Sequence, residues 1–318
     1  MTRILISYDY ELCWGVWDML SPAYAASHVM QANDCARTLC ALHERLGLCA
    51  TWAVVGAAID QSIPVRDRFA SVVDEAEERI RFNSYLISVG DCEGLFDIPV
   101  DILESIQKSD VLEFGCHTYA HRYVDRIREE VLAKDLARFN EVCKLACRSI
   151  VFPRNVVDHA ALVAAKDAGF QVVRINPRKA LYMAVKGTGL KSLIIRILRY
   201  ADAFLPIQEM LPSKPSTNHL KGLYITEGQY FFRPDCGFPL LDVIHRVRLM
   251  FGLWACRKRK IDAHLWTHPH NFGANPIRSL SNAEKLFTYI TSILSPSLCQ
   301  SAAMDSLVTK DRSGHSKQ

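Results

Sequence analysis

The stretch VLEFGCHTYAHRYV, residues 111–124, contains the two features that decide the fold and its chemistry. Its first half, Val111 to Gly115, is a short apolar run that predicts a buried strand ending at Gly115. His117 and His121 follow four residues apart, which predicts a helical turn with both imidazoles on one side, able to share a cation. The pair is weak evidence alone, because the chain contains 11 histidines and this spacing is a common coincidence.

Short apolar runs of the same kind recur along the chain and alternate with helical patterns. The predicted strands cover residues 3–8, 50–55, 111–116, 149–152, 171–175, 223–232 and 262–266. The predicted helices cover residues 24–46, 124–147, 158–168, 240–256 and 282–294, with an irregular helical pattern in 60–110. This alternation favours a parallel sheet or an α/β barrel.

The chain shows no internal repeat and no linker rich in proline and glycine, which favours a single domain over residues 1–296. An apolar and basic helical stretch interrupts the alternation and predicts an insertion at about 178–222. Beyond Pro296 the sequence is polar and poor in aromatic residues, so we predict that residues 297–318 form a flexible tail.

Composition excludes some classes of function. The 38 basic and 34 acidic residues nearly balance, and a net charge of +4 does not indicate a nucleic-acid-binding protein. The N-terminal sequence MTRILISYDYE enters a strand-like run without an apolar signal core, so no export is expected. The 11 cysteines include no C-x-x-C pair, which favours reduced thiols and a cytoplasmic location.

Polar side chains follow four of the predicted strands. Asp9 and Glu11 come after the first strand, and the two histidines follow the third. Arg154 lies in Pro153-Arg154-Asn155, and His268 lies in the string HLWTHPHNFG at the end of a late strand. Since the C-terminal ends of parallel strands in a barrel meet on one face, we expect these groups to converge there. Each has an ordinary structural explanation by itself, and it is their joint placement that points to a catalytic site.

These motifs resemble those of the NodB-homology polysaccharide deacetylases (carbohydrate esterase family 4), in the divergent branch whose first motif is acid, any residue, acid. The resemblance covers about residues 4–272, excluding the insertion, and is most specific at His117-Thr118-Tyr119-Ala120-His121. Asp9-Tyr10-Glu11 is similar to the first motif, and Leu265-Trp266-Thr267-His268-Pro269 to the closing one. The resemblance implies a distorted (β/α) barrel of about seven parallel strands.

The resemblance also implies a role for each residue. His117, His121 and Glu11 would bind a divalent cation; zinc is the default, and cobalt or nickel fits the same ligands. Asp9 would be the catalytic base, and His268 the general acid. The family's third motif has its arginine before the proline, whereas Arg154 follows Pro153, and the resemblance assigns Arg154 to orient Asp9. His270 lies beyond the closing motif and is expected at the rim.

The expected reaction is therefore metal-dependent removal of an N-acetyl group from an acetamido sugar or a lipid-linked intermediate of glycan assembly. Alternative hypotheses are a deformylase or allantoinase-like C–N hydrolase and a non-catalytic barrel that binds glycans. Residues 186–212 contain an apolar run flanked by lysine and arginine, which suggests either a lid, a peripheral membrane contact or an ordinary amphipathic helix. Aromatic residues near the first motif, namely Tyr8, Tyr10, Trp14 and Trp17, suit either sugar stacking or core packing.

Overall fold

A buried strand at the N-terminus, β1 (Thr2–Tyr10), is the central strand of the sheet. The protein is described here by a computed structural model that covers residues 1–90, 94–177, 194, 197, 198, 201–205 and 222–309. Within those ranges eight further strands join β1: β2 (Ala50–Val54), β3 (Leu112–Cys116), β4 (Ser149–Val151), β5 (Val172–Ile175), β6 (Tyr224–Glu227), β7 (Tyr230–Phe231), β8 (Ala263–Thr267) and β9 (Cys299–Ala302). The strand order is β6-β5-β4-β3-β2-β1-β8-β7, and β9 pairs with β1.

Every strand pair in this sheet is parallel, and the sheet curls into a distorted barrel. β6 pairs with β5 and β7 pairs with β8, although only Gly228 and Gln229 separate β6 from β7. This bent segment therefore joins the two edges of the sheet. Space is tight at Gly228, because a Cβ atom would lie 3.1 Å from the Trp266 ring and 3.3 Å from Arg174. The predicted α/β barrel of about seven parallel strands is confirmed. Seven strands are obtained when β6 and β7 are counted as one and β9, which lies off the main strand order, is left aside.

Alternation along β1 separates the helical shell from the barrel interior. Ile4, Ile6, Tyr8 and Tyr10 belong to the main core between the sheet and the helices. The intervening residues face inwards, so that apolar Leu5 lies low in the barrel with polar Ser7 above it and Asp9 near the top. Of the residues of β1 that face the barrel interior, the polar pair Ser7 and Asp9 thus lies in the upper half, above Leu5.

The segment after Pro296 differs from the predicted flexible tail. Residues 299–302 form β9, in register with Thr2–Leu5 of β1. Ala302, Met304 and Leu307 are buried in a small cluster with Leu5 and close the lower end of the barrel. The prediction of a tail was wrong for residues 299–309, because the long-range pairing with β1 leaves no local signal in a polar sequence. Residues 310–318 lie outside the described residues.

Ten described helices surround the sheet: α1 (Pro22–Val29), α2 (Ala32–Leu46), α3 (Val65–Ala70), α4 (Ala76–Val89), α5 (Val100–Lys108), α6 (Glu129–Val142), α7 (His159–Asp167), α8 (Pro239–Arg259), α9 (Pro276–Ile293) and α10 (Ser306–Thr309). Gly47 ends α2 in the left-handed conformation at φ 61°, as its C-terminal capping position predicts. Asp158 caps α7 by accepting a hydrogen bond from the Ala161 amide at 2.8 Å.

Helix boundaries differ from the predictions in three places. The predicted helix over 24–46 is two helices, α1 and α2, and the predicted helix over 124–147 ends at Val142. α9 begins at Pro276, where Asn275 caps it, rather than at residue 282. The insertion predicted at 178–222, and with it the contact through 186–212, lies mostly outside the described residues. No helix of the described chain is long and apolar enough to cross a bilayer.

Candidate active site

Three side chains with metal-ligating atoms meet above the upper end of the barrel. Glu11 follows β1, and His117 and His121 lie in the loop after β3. Glu11 Oε2 is 3.2 Å from His117 Nε2 and 2.8 Å from His121 Nε2. All three residues are buried, and one donor atom from each lies within 4.8 Å of the others. The structure therefore brings together the three residues predicted as cation ligands.

The loop that presents the two histidines is not the helical turn that their spacing predicts. Thr118 and His121 have φ values of 61° and 53°, in the left-handed region that non-glycine residues rarely adopt. The carboxylate of Asp135, in α6, accepts hydrogen bonds from the backbone amides of Tyr119 and Ala120 at 2.7 and 3.0 Å. Burial raises the pKa of Asp135 to about 6. Asp135 is thus a structural support of the site that the sequence motifs do not identify.

The hydrogen bonds around His117 test whether these residues fit a cation. Its Nδ1 lies 2.7 Å from the carbonyl oxygen of Val151, so Nδ1 carries a proton and donates it. Nε2 of a neutral ring then presents its lone pair towards Glu11, where a cation would be bound; without a cation, a proton on Nε2 makes the 3.2 Å contact with Glu11 Oε2 a hydrogen bond. His121 Nε2 is also buried and has no hydrogen-bond partner of suitable geometry. A divalent cation would satisfy all three groups, and oxygen and nitrogen donors of this kind are those that zinc prefers.

The charges in this group shift its pKa values in opposite directions. Burial raises the pKa of Glu11, but His268 and His121 outweigh burial and hold the pKa well below its usual value. Burial lowers the pKa of His117, but the hydrogen bond to Glu11 and the nearby carboxylates outweigh burial and raise it. For His121 burial prevails and its pKa is lowered. Glu11 is therefore an ionised carboxylate, as a cation ligand must be.

Asp9 is held by an arginine that the motifs did not identify. Arg174, on β5, is fully buried, and its Nη2 donates to Asp9 Oδ2 at 2.6 Å. The same guanidinium donates to Ser7 Oγ at 2.6 Å and to Asn155 Oδ1 at 2.9 Å, and it lies over the Trp266 ring. Burial raises the pKa of Asp9, but Arg174 together with two histidines outweighs it and lowers the pKa. Asp9 Oδ1 has no hydrogen-bond partner.

Arg154 does not make the contact that was predicted for it. Its Nη2 lies 2.9 Å from Tyr123 Oη, its guanidinium stacks on the Tyr123 ring, and Asp18 is 3.8 Å away. The prediction that Arg154 pairs with Asp9 was therefore wrong. Arg154 has a φ of 57°, which turns its side chain to the wall of the cavity, while the following residue, Asn155, contacts Arg174.

Two histidines follow β8 and face the opposite side of Glu11. His268 Nε2 is 3.7 Å from both Asp9 Oδ2 and Glu11 Oε1. Its Nδ1 accepts a hydrogen bond from Asn271 Nδ2 at 3.1 Å, which leaves the proton of the neutral ring on Nε2. His270 is half-buried and lines the cavity, with Nδ1 3.9 Å from Glu11 Oε1 and without a hydrogen-bond partner for that atom. Burial lowers the pKa of His270 to about 3.

A cavity of about 470 Å³ opens above these residues. Asp9, Glu11, His121, His268 and His270 contribute to its floor, and His117 lies just beneath it. Its walls combine the apolar side chains of Val16, Met19, Leu20, Phe231 and Trp266 with the cationic ones of Arg154, Arg233 and Arg248. A volume of this size suits a small-molecule substrate.

The aromatic residues near the first motif do not line this cavity. Tyr8, Tyr10 and Trp14 are buried in the core, where each polar atom has a partner: His43 for Tyr8, Asn33 for Tyr10 and the Phe96 carbonyl for Trp14. Trp17 packs against Phe69 and Phe82. Of the two explanations for these residues, core packing is the one that the structure supports. The aromatic walls of the cavity are Phe231 and Trp266.

Comparison with solved structures relates this fold to known proteins. A Mycobacterium smegmatis protein assigned as a polysaccharide deacetylase matches with a TM-score of 0.55 over 98% of this chain and 91% of its own, at 13% identity. The 4-alpha-glucanotransferase from Thermococcus litoralis matches with a TM-score of 0.50 over 98% of this chain and 38% of its own, at 10% identity. No protein-family model matches the sequence, and neither does any curated protein. The predicted resemblance to the polysaccharide deacetylases is confirmed for the fold.

Proposed function

We propose that the protein is a metal-dependent hydrolase that removes an N-acetyl group from an acetamido sugar, either free or part of a lipid-linked intermediate of glycan assembly. The observation behind this proposal is the convergence, around one cavity, of a three-ligand group, a carboxylate held by a buried arginine and a histidine with a defined tautomer. Hydrolysis of an amide needs an activated water, a base and a proton donor for the leaving nitrogen.

Glu11, His117 and His121 would hold the cation, which we expect to be zinc. When bound, it would supply a Lewis acid that polarises the amide carbonyl and acidifies a water molecule. The remaining chemistry belongs to the side chains around it. Asp9 is held by Arg174 beside Glu11. His268 contacts both carboxylates at 3.7 Å and is more exposed to solvent than either.

Asp9 is suited to act as the base. Arg174 occupies Oδ2 and keeps the carboxylate ionised, whereas Oδ1 is without a partner and can accept a proton from the attacking water. Ser7 and Asn155 fix the guanidinium, so the carboxylate keeps one orientation. The reacting water would thus be deprotonated by an oxygen whose position the barrel interior determines.

His268 is suited to act as the general acid. Asn271 binds Nδ1, so the Nε2 proton lies on the side of Asp9 and Glu11 and can pass to the departing amine. An amine leaves poorly without a proton, which is why an amidase needs this group and an esterase of an activated ester does not.

The cavity walls support a sugar as substrate. Trp266 and Phe231 offer flat apolar surfaces for a pyranose ring, and Arg154 and Arg233 suit an anionic substituent such as a phosphate, whereas Arg248 is paired with Asp202 of the same cavity. We propose a cytoplasmic location, consistent with the absence of a disulfide among the described cysteines.

Acetate release tests this proposal. The purified protein, loaded with zinc or cobalt, would be assayed against N-acetylated sugars, their nucleotide derivatives and lipid-linked precursors, with the matching N-formyl compounds beside them. We expect acetate from at least one substrate and none from the His117→Ala variant. Metal bound at one equivalent without any release would favour a non-catalytic glycan-binding barrel. Turnover of formyl compounds alone would favour a deformylase.

A further inference from the structure

Helix α8 is apolar on two opposite faces. Its inner face, with Leu249, Gly252, Leu253 and Cys256, is buried against the barrel. Its outer face is also apolar, and the exposed fractions of its residues are Leu240 69%, Val243 44%, Ile244 38%, Val247 56%, Phe251 54% and Trp254 40%. A helix that packs on one side only normally has a polar outer face, so the second apolar face indicates a second partner.

The six outer residues form one continuous stripe. Each lies three or four residues from at least one other member, so they lie on one side of a helix that is about 30 Å long. Lys258 follows one turn after Trp254 on the same line, and its Nζ lies 5.8 Å from the Trp254 ring. We call the residues Leu240, Val243, Ile244, Val247, Phe251 and Trp254 the outer stripe.

Outside the core, all charged side chains of α8 are basic. The single acidic residue of this helix is Asp242, which is buried and paired with Arg278. Arg246 and Arg248 lie on the two flanks of the outer stripe, and the last turn with its cap contains Arg257, Lys258, Arg259 and Lys260. The charged side chains that α8 itself places beside the apolar stripe are all basic, although Arg248 is paired with Asp202 at 3.2 Å, and an apolar stripe with aromatic residues and a basic end is typical of a helix that lies in a lipid–water interface.

We propose that the outer stripe of α8 docks on the surface of an anionic membrane, with Phe251 and Trp254 in the interface and the basic end of the helix against lipid headgroups. This docking does not depend on the proposed function. Arg248 lies beside the stripe and also lines the cavity of the candidate active site, so docking would place the cavity close to the headgroups.

The same charges disfavour a second copy of this chain as the partner. A two-fold contact centred on Val247 would bring the Arg246 side chains of both copies closer together, and like charges repel. It would also bury Lys258 against apolar residues without an acidic partner, which costs free energy. Anionic headgroups provide a counter-charge along the whole helix.

Vesicle co-sedimentation tests this proposal, with vesicles of phosphatidylcholine alone or mixed with phosphatidylglycerol. We expect the protein to bind the mixed vesicles and the Phe251→Ser/Trp254→Ser variant to bind at least about tenfold more weakly. The matched control is Ile80→Ser/Ile87→Ser, which changes two exposed residues of α4, with exposed fractions of 64% and 76%. This control should bind like the original protein.

A charge variant separates the electrostatic contribution. Lys258→Gln/Arg259→Gln/Lys260→Gln should weaken binding at low salt by about fivefold for each charge removed, and the loss should shrink as salt rises. Tryptophan emission should shift to shorter wavelength when mixed vesicles are added, and Trp254→Phe should reduce that shift. Circular dichroism and thermal unfolding show whether each variant is folded.

Three results would overturn the proposal: absence of binding to the mixed vesicles, equal binding by the outer-stripe variant, or a dimer that the outer-stripe variant converts to a monomer. The last result would assign the stripe to a second copy. Failure of the acetate-release assay would leave the vesicle result unaffected, so the two proposals can fail separately.

Discussion

The guanidinium of Arg174 on β5 holds the carboxylate of Asp9 on β1, with Nη2 2.6 Å from Oδ2 inside the barrel. Arg154, the arginine nearest to the expected motif, instead stacks on Tyr123. The two arginines therefore have different places in the site: Arg174 holds Asp9, and Arg154 belongs to the wall of the cavity.

Substitution of the two arginines should separate these parts. Arg174→Ala should lower kcat by at least about 100-fold, whereas Arg154→Ala should mainly raise KM. Without Arg174, His117 and His268 alone oppose the effect of burial and the pKa of Asp9 rises, so activity should be lost at a higher pH on the acidic side of the profile. The measurement is kcat and KM against pH.

Arg174 is fully buried, and its removal leaves Asp9 unpaired at a cost of about 3–5 kcal/mol. Arg174→Lys keeps the charge and serves as the folded reference in thermal unfolding. A larger loss of kcat in Arg154→Ala than in Arg174→Lys would contradict the assignment.

Gly15 should control the cation through Glu11. A Cβ atom on Gly15 would lie 2.1 Å from Glu11 Cδ, so Gly15→Ala must displace the Glu11 side chain. We expect cation affinity to fall by about 10- to 100-fold, as it does when a group that orients a ligand is lost. Isothermal titration with zinc measures the affinity.

The shorter side chain of Glu11→Asp relieves that contact, and a double-mutant cycle tests whether the contact is the cause. Gly15→Ala should reduce the affinity for zinc less in the Glu11→Asp background than in the original protein. Strictly additive effects would mean that Gly15→Ala acts in another way.

His268 should matter most for poor leaving groups. His268→Ala should lower kcat on an N-acetyl sugar by about 10²- to 10⁴-fold, but lower it much less on an aryl acetate, whose phenolate leaves without a proton. Rates on both substrates give the ratio. His270→Ala is the matched control, because His270 faces Glu11 and lies farther from Asp9. It should reduce both rates together by weakening the cation site.

The lower end of the barrel should make stability depend on pH. Glu113 is buried there, and burial and the neighbouring Asp305 raise its pKa to about 7. The unfolded chain loses this proton near its ordinary pKa of about 4.5, so the stability that Glu113 contributes is full below that pH and is lost as pH rises towards 7.

Glu113→Gln should remove that dependence and raise stability near neutral pH by about 1–3 kcal/mol. Urea unfolding at several pH values between 4.5 and 7.5 measures the effect. Glu130→Gln changes an exposed glutamate and should leave the slope of the free energy of unfolding against pH unchanged. A Glu113→Gln variant with the original slope would assign the pH dependence to another group.

Much of the fold could be predicted because strand periodicity is local. The apolar runs gave the strands of the barrel, and polar residues at the strand ends gave Asp9, Glu11, His117, His121 and His268, which the structure brings together. Their chemical roles stay predictions. Gly47 and Asp158 marked helix ends correctly for the same reason, since a cap depends on its immediate neighbours.

What could not be predicted depends on distant contacts. Arg174 lies within the predicted strand over 171–175. The presence of a single arginine in that strand was the sequence feature that could have indicated a buried ion pair. The left-handed residues of the histidine loop are held by Asp135 from another helix, so spacing alone suggested a helical turn. The end of the chain looked like a tail because its partner, β1, is at the other end of the sequence.

The pairing of β9 with β1 also has a consequence for the order of folding. β1 presents Asp9 and Glu11, yet its neighbours β8 and β9 come from the last fifth of the sequence. Contacts between such distant segments form slowly. During synthesis, which proceeds from the N-terminus, β1 is made long before β8 and β9, its partners in the sheet. Asp9 and Glu11 are therefore synthesised well before the strands that complete their surroundings.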